Sequence, residues 1–235
     1  MTEIVLVRHG VTAWNRQRRF QGHIDTPLDD EGHRQARRAA ARFAAEHSAG
    51  DAAMLDEGAE VGQVVERIPP ISAVYASDLA RARETAAPIA AALGLPLRID
   101  AALRERYYGA FEGCTYEDLV RDYAQAFERW RARDPDFALP GGGESLRDFH
   151  SRVESALLRL VREHPGERVV AVTHGGFLDC AYRVATGLEL DAPRHHDLLN
   201  ASLNRIAWEH DRFTLIAWAD VTHLEHGDDD IEARH

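Results

Sequence analysis

Three short apolar runs recur along the chain, each continuous and rich in β-branched residues: Ile4-Val5-Leu6-Val7, Ile71-Ser72-Ala73-Val74-Tyr75-Ala76 and Arg168-Val169-Val170-Ala171-Val172-Thr173. Runs of this length that do not alternate with polar residues read as strands buried on both faces. Ser202 to Glu209 and Phe213 to Ala219 flank a Glu-His-Asp-Arg turn and read as a closing hairpin. Helical spacings fill the intervals. Asp29 caps a helix with Asp30 and Glu31 in its first turn, continuing through Arg34 to Glu46, and the Ala-rich stretch Leu79 to Leu93 stops at Gly94. Tyr116 to Arg133 reads as one helix carrying Tyr123, Phe127 and Trp130, and after the Pro140–Gly143 break Leu146, Phe149, Val153, Leu157 and Leu160 fall on one helical face. Strands alternating with helices predict an α/β fold, a three-layer α/β/α sandwich around a mostly parallel sheet.

Residues 1–224 are expected to form one domain, interrupted at about 48–70 by an acidic, Gly-containing insertion that reads as a lid, an extra helix or a partner surface. The acidic tail, 225–235, is expected to be solvated and poorly ordered, and there is no internal repeat.

Composition narrows the chemistry. The chain of 235 residues is 45% hydrophobic and carries a net charge of -11, and all 28 of its cationic side chains are Arg. A chain without Lys has neither a Schiff-base lysine nor a Walker-type phosphate loop. Net acidity argues against a nucleic-acid groove, yet a local arginine cluster still sets the potential felt by a small anion within a Debye length of roughly 8 Å. Cys114 and Cys180 form neither a disulfide framework nor a metal-ligand spacing. No basic leader and no apolar run of membrane length is present, so a cytoplasmic protein is expected, without a membrane partner.

The polar residues that end the buried runs carry the candidate chemistry. The first run ends in Arg8-His9-Gly10, the third in His174-Gly175-Gly176, and the second leads into a helix with Arg81 in its first turn. In open α/β sheets, ligands bind at the carboxyl ends of the strands. If the three strands are neighbours, two guanidiniums and two imidazoles converge on one rim and form an oxyanion cage, because arginine's planar fork meets phosphate oxygens bidentately. Catalysis needs two further parts: a neutral imidazole held by a carbonyl at its other nitrogen, which His9 or His174 could supply, and a carboxyl to protonate the leaving oxygen. "LRERYYGAFEG" offers Glu105 and Glu112 for the second, of which one is required. Other histidines, among them His195-His196, read as solvated, and Gly141–Gly143 as a flexible connection.

Four blocks, "VRHGVTAWNRQRRFQGHIDTPLDDEG", "YASDLARARETA", "LRERYYGAFEG" and "VVAVTHGGFLD", together resemble the histidine phosphatase superfamily, in its phosphoglycerate-mutase-like branch, and the later "NASLNRI" also fits. The resemblance implies that His9, in the RHG motif, becomes phosphohistidine and that Arg8, Arg81 and His174 hold the phosphoryl oxygens. Asn15 is implied as a further donor, with a plain helix cap as the rival reading. Glu105 is implied as the acid that protonates the leaving group and then activates water. Gln21 and Gly22 would line the mouth, with Tyr108 and Gly175 also in contact with substrate phosphate. The family chemistry needs no metal and no cofactor, 2,3-bisphosphoglycerate entering only for a mutase. The implied partner is a small phosphorylated metabolite, and a homodimer is left open.

Mutases of that family follow the ERxY segment with a lysine and paired arginines, and the second His-Gly with Asn. Here the lysine position aligns with Tyr116, and His174-Gly175 is followed by Gly176. A phosphomonoesterase is therefore expected, with a cofactor-dependent phosphoglycerate mutase as the alternative, supported by Arg106-Tyr107-Tyr108. An inert phospho-ligand-binding protein is the reading from another class.

Overall fold

Strand β1 (Thr2–Arg8) lies in the middle of the sheet and is the reference for every other element. In chain order it is followed by α1 (Ala13–Arg16), α2 (Asp30–Leu55), β2 (Ile71–Ala76), α3 (Ala80–Ala92) and β3 (Leu97–Ile99), then by α4 (Tyr116–Asp122), α5 (Ala124–Arg131), α6 (Leu146–Glu163), β4 (Arg168–Thr173), α7 (Gly175–Thr186), β5 (Leu203–Glu209) and β6 (Arg212–Asp220). A computed structural model describes residues 1–55 and 69–224 of the chain. Residues 56–68 of the acidic insertion and the tail 225–235 lie outside the described residues.

Among the described residues the strands form one six-stranded sheet in the order β3-β2-β4-β1-β5-β6, with β1 to β4 mutually parallel and β5 and β6 antiparallel. The apolar runs do not alternate because both faces are covered. Val5 and Val7 of β1 pack with Phe43 of α2 and Ile89 of α3, whereas Ile4 and Leu6 pack with Val153 and Leu157 of α6 and Phe177 of α7. Each such buried side chain contributes about 1.5–3 kcal/mol, so truncating Leu6 in mid-sheet costs about 2–5 kcal/mol. This is the expected three-layer sandwich.

Several local expectations are corrected. The stretch Tyr116 to Arg133 is two helices, broken at Tyr123 (φ -136°, ψ 30°). A straight helix would hold Tyr116 and Trp130 about 21 Å apart at 1.5 Å per residue, yet their ring centres are 6.2 Å apart. The chain folds back because Leu119 of α4 and Phe127 of α5 must both reach Phe20 and Phe111 in a small third core. Helix α2 runs past Glu46 to Leu55 and absorbs the start of the insertion. Gly141–Gly143 is a tight packed turn rather than a loose link: Gly143 N donates to Leu139 O at 3.0 Å, and Ala110 N donates to Pro140 O at 2.7 Å. The strand β3 and helix α7 lie outside the sequence expectation.

Candidate active site

The strand order makes the site. Because β2, β4 and β1 are neighbours, their carboxyl ends meet: Arg8 is in register with Thr173, and His9 N donates to Thr173 O at 2.9 Å. Arg81 follows from the end of β2 in the first turn of α3, and His174 is the N-cap residue of α7. Gly10, Gly175 and Gly176 let these chains pass close together. A Cβ at Gly176 would lie 2.3 Å from Glu105 Oε1, so no larger residue fits there without displacing that carboxylate.

His9 is 3% exposed, and its Nδ1 lies 2.7 Å from Gly10 O. A ring nitrogen facing a carbonyl carries the proton, so the lone pair sits on Nε2. Burial, then the charges of Arg81 and Arg8, push the His9 pKa well below its ordinary 6.5, so the ring is neutral. His174 is wholly buried behind it, with ring centres 5.2 Å apart. Its Nδ1 accepts from Arg81 Nε at 3.2 Å, which puts its proton on Nε2. Burial and Arg81 depress its pKa in the same way. The Nε2 of His174 and the Nε of Arg8 are both buried without a protein partner.

Arg81 is 0% exposed and spends donors on Ile24 O (2.9 Å) and Gly22 O (2.7 Å) as well as on His174. Burial lowers its pKa to about 10, which leaves it charged at neutral pH. Arg8 donates through Nη1 to Leu198 O. Glu105 is held by two amides, Oε1 accepting from Arg106 N at 2.8 Å and Oε2 from Gly176 N at 2.9 Å at the start of α7.

All ten sequence-predicted residues are brought to this one region. A cavity of about 1140 Å³ is lined by Arg8, His9, Asn15, Gln21, Gly22, Arg81, Glu105, Tyr108 and Gly175, among others, with His174 immediately behind. Asn15 combines its two rival readings: Oδ1 accepts from Thr12 N at 3.0 Å in a capping box, while the residue still lines the cavity. Gln21 Oε1 accepts from Thr26 Oγ1 at 2.6 Å. Gly22 needs its positive φ (51°), and a Cβ there would fall 2.0 Å from Glu112 Oε1. Glu112, the other candidate acid, is engaged with the backbone, accepting from His23 N at 2.8 Å and Tyr108 N at 3.1 Å. Burial lifts the Tyr108 phenol well above 10, so it stays protonated.

Other residues at the site escape sequence reasoning. Thr85 Oγ1 accepts from Gly10 N at 3.0 Å, and Asn200 Nδ2 donates to His9 O at 2.9 Å, the latter within a block the family resemblance had already marked. His196 is buried rather than solvated: it stacks on Tyr182 at 3.8 Å, and its Nε2 is 3.1 Å from Asp179 Oδ1. Asp179 also takes Arg133 Nη2 at 2.6 Å, joining α7 to the loop after α5. No signal short of the fold links these residues. Among the described residues no group of three His, Cys, Asp or Glu is placed to hold a metal, and no helix is long and apolar enough to cross a membrane.

A sheet whose carboxyl rim gathers two arginines, two neutral histidines and a pinned carboxylate defines an α/β protein with a positively charged cavity at the strand ends. The family model of the histidine phosphatase superfamily (branch 1) matches residues 4–53 and 55–221. The chain belongs to that superfamily. It is 39% identical over 225 residues to phosphoglycerate mutase-like protein 4 of Arabidopsis thaliana, covering 95% of this chain and 87% of the relative. It is 36% identical to a metal-independent phosphoserine phosphatase of the same plant, covering 95% and 84%. Among solved structures, YhfR of Bacillus stearothermophilus superposes with a TM-score of 0.77 at 30% identity, covering 96% of this chain and all (100%) of that one. A mycobacterial glucosyl-3-phosphoglycerate phosphatase superposes with a TM-score of 0.71 at 27% identity, covering 92% and 98%.

Proposed function

We propose that this chain is a phosphomonoesterase that works through a phosphohistidine on His9. The observation that carries the reading is a neutral, buried His9 beside two buried donors without protein partners, Arg8 Nε and His174 Nε2. Leaving a buried donor unpaired costs about 1–3 kcal/mol, and a bound phosphoryl group would satisfy both. In the first step His9 Nε2 attacks phosphorus, the P–O ester bond breaks, and the departing oxygen takes the Glu105 proton. In the second, the Glu105 carboxylate accepts a proton from water, whose oxygen attacks phosphorus as the P–N bond breaks, releasing phosphate and restoring His9. The gain comes from positioning and from fixed positive charge at the equatorial oxygens. Arg8 and Arg81 supply that charge, and the relative named as metal-independent fits a site that needs neither metal nor bisphosphoglycerate.

The finer reading is an ester with a second anionic group, such as a carboxylate. Eight arginines line the cavity against three acids, Glu105, Glu117 and Asp179, in a chain of net charge -11. Arg18 and Arg194 among them are exposed and pair with no carboxylate among the described residues, and Arg194 is near enough to Arg8 to act on its charge. Phosphoserine and glucosyl-3-phosphoglycerate, in the names of the relatives, have this form. The mutase alternative leans on Arg106, but that guanidinium is 6% exposed and its Nε and Nη2 both donate to Glu144 O, which favours a structural use. Cytoplasmic location fits the free thiols of Cys114 and Cys180, and residues 1–224 as one domain fit the extent of the family match.

Rapid-quench labelling with a radiolabelled ester tests the core of this. An acid-labile phosphoryl-enzyme, absent in His9→Ala, with release of inorganic phosphate is expected. Interconversion of 3- and 2-phosphoglycerate without phosphate release would replace hydrolase by mutase.

A further inference from the structure

The segment that carries Glu105 belongs to no strand or α-helix; apart from one short 3-10 turn, Ala101–Leu103, it runs from β3 to Tyr108 as irregular chain. Its carbonyls therefore have no ladder to bond to and must find partners elsewhere. Thr173 Oγ1 donates to Leu103 O at 2.8 Å and His23 Nε2 lies 2.9 Å from Glu105 O, but one side chain binds three of them at once. Arg152, in the second turn of α6, donates through Nη1 to Ala102 O (3.1 Å) and Arg104 O (3.0 Å), and through Nη2 to Glu105 O (3.0 Å). Its remaining donors grip Glu144: Nε to Oε1 at 2.9 Å and Nη2 to Oε2 at 2.8 Å. All five N–H groups of one guanidinium are thus spent around one loop.

Glu144 closes the clamp from its other side. Its Oε2 accepts from Tyr107 N at 2.8 Å, its N donates to Tyr107 O at 2.9 Å, and its carbonyl takes the Arg106 guanidinium. The backbone on both sides of Glu105 is therefore fixed to α6, the helix that also packs on β1. The Glu105 carboxylate is in turn wedged against Gly176, where even a methyl group has no room. Within so tight a seat, a shift of the loop by a fraction of an ångström changes where a proton is delivered, and a misplacement of about 1 Å can cost on the order of 10²-fold in rate.

We propose that Arg152, held by Glu144, is a positioning residue for proton delivery by Glu105: it sets the height of that carboxyl over the leaving oxygen and touches no substrate itself. This rests on Glu105 being the acid of the hydrolase reading. Lysine cannot replace it, because an ammonium presents three donors from one point and cannot span three carbonyls and a carboxylate.

The test is leaving-group dependence. Arg152→Lys, Glu144→Gln, Glu105→Gln and the Arg152→Lys/Glu105→Gln pair are assayed on p-nitrophenyl phosphate, whose leaving group needs little protonation, and on an alkyl phosphate, whose leaving group needs it fully. Arg152→Lys is expected to lower kcat on the alkyl ester by on the order of 10²-fold, and on the nitrophenyl ester by about twofold. Its inhibition by vanadate should be unchanged, and it should add nothing to Glu105→Gln on the alkyl ester. Glu144→Gln, which keeps most of the clamp, should show the same bias in weaker form and serves if Arg152→Lys does not fold. Equal losses on both esters, or losses additive with Glu105→Gln, overturn the clamp while Glu105→Gln itself remains leaving-group sensitive. If Glu105→Gln is insensitive to the leaving group, the acid assignment falls and the clamp falls with it.

Discussion

The two ends of the central sheet use the same residue types to opposite effect. At the amino end, Arg168 Nη2 meets Glu46 at 2.7 Å and Arg168 Nε faces Glu3 at 3.4 Å, while Arg205 and Arg42 also reach Glu46, at 2.7 and 2.8 Å. Burial alone would raise the Glu46 pKa, but the hydrogen bonds from Arg168 and Arg42 outweigh it and hold the carboxyl below its ordinary value. His164 there is closed off too, Nδ1 on Glu167 at 2.6 Å and Nε2 on Tyr75 Oη at 2.9 Å. At the carboxyl end Arg8 and Arg81 rest on neutral carbonyls, and the nearest carboxylate, Glu105, is already occupied by two amides. A carbonyl solvates a guanidinium without cancelling its charge. At the amino end the buried donor left without a hydrogen bond, Arg168 Nε, faces the carboxylate of Glu3, so that end is self-neutralised; at the other, Arg8 Nε and His174 Nε2 make no hydrogen bond to a carboxylate and the net positive field is kept. A buried arginine says little by itself, and the charge of its partner decides what it is for.

The sharpest way to break the contrast is at His9. His9→Ala is expected to fold and to lose turnover by on the order of 10⁴-fold or more in single-turnover assays, since the other imidazole at the cage, His174, has its Nδ1 lone pair taken by Arg81 and presents an N–H instead. Activity retained within tenfold would remove the rim's special status.

Next comes a matched pair. Arg81→Met should lower kcat/KM by on the order of 10²- to 10³-fold and abolish the rise in Tm expected of the parent protein when phosphate is added. Arg168→Met, at the other end, should leave kcat/KM within about twofold but lower stability in urea unfolding by about 3 kcal/mol, because it removes the nearer partner of the buried Glu3, which keeps only Arg205 at 3.9 Å, and one of the three arginines on Glu46. Exchanged phenotypes would refute the division of labour.

Smaller effects separate the ends by pH. His9 and His174 are neutral in the fold, so above pH 6.5, their ordinary value, they contribute nothing to pH dependence. As pH falls through that value the unfolded chain binds protons that the fold refuses, and stability drops by up to about 1.4 kcal/mol per pH unit for each ring. Glu46 acts in a lower window: its stabilisation is complete above about 4.5 and is lost as pH falls below it. Urea midpoints followed by tryptophan fluorescence should therefore fall in two stages on acidification, the first shallower in His174→Gln. Least of all is expected from a chelator: dialysis against EDTA should leave kcat/KM unchanged, and a loss restored by a divalent cation would contradict the metal-free cage.

Much of this was legible in one dimension. The buried runs announced β1, β2 and β4 to within a residue or two, and the groups that end them, Arg8-His9 and His174-Gly175, read as a site because a strand's end is a local feature. What escaped was whatever depends on distant packing. The fold-back of α4 and α5 came from a shared aromatic core, His196 was buried by Tyr182 and Asp179, and Arg152 reached Glu105 from 47 residues away.

The order of residues alone determined which segments must leave water and which polar groups must stand at their ends, since hydrophobic periodicity records burial. It left open whether those ends would ever meet. Only the tertiary structure made β2, β4 and β1 neighbours, put the free lone pair on Nε2 of His9 through the Gly10 carbonyl, and assigned the His174 proton through Arg81. Strand pairing and proton placement are set by partners far along the chain, and a local pattern carries no record of which partner arrives.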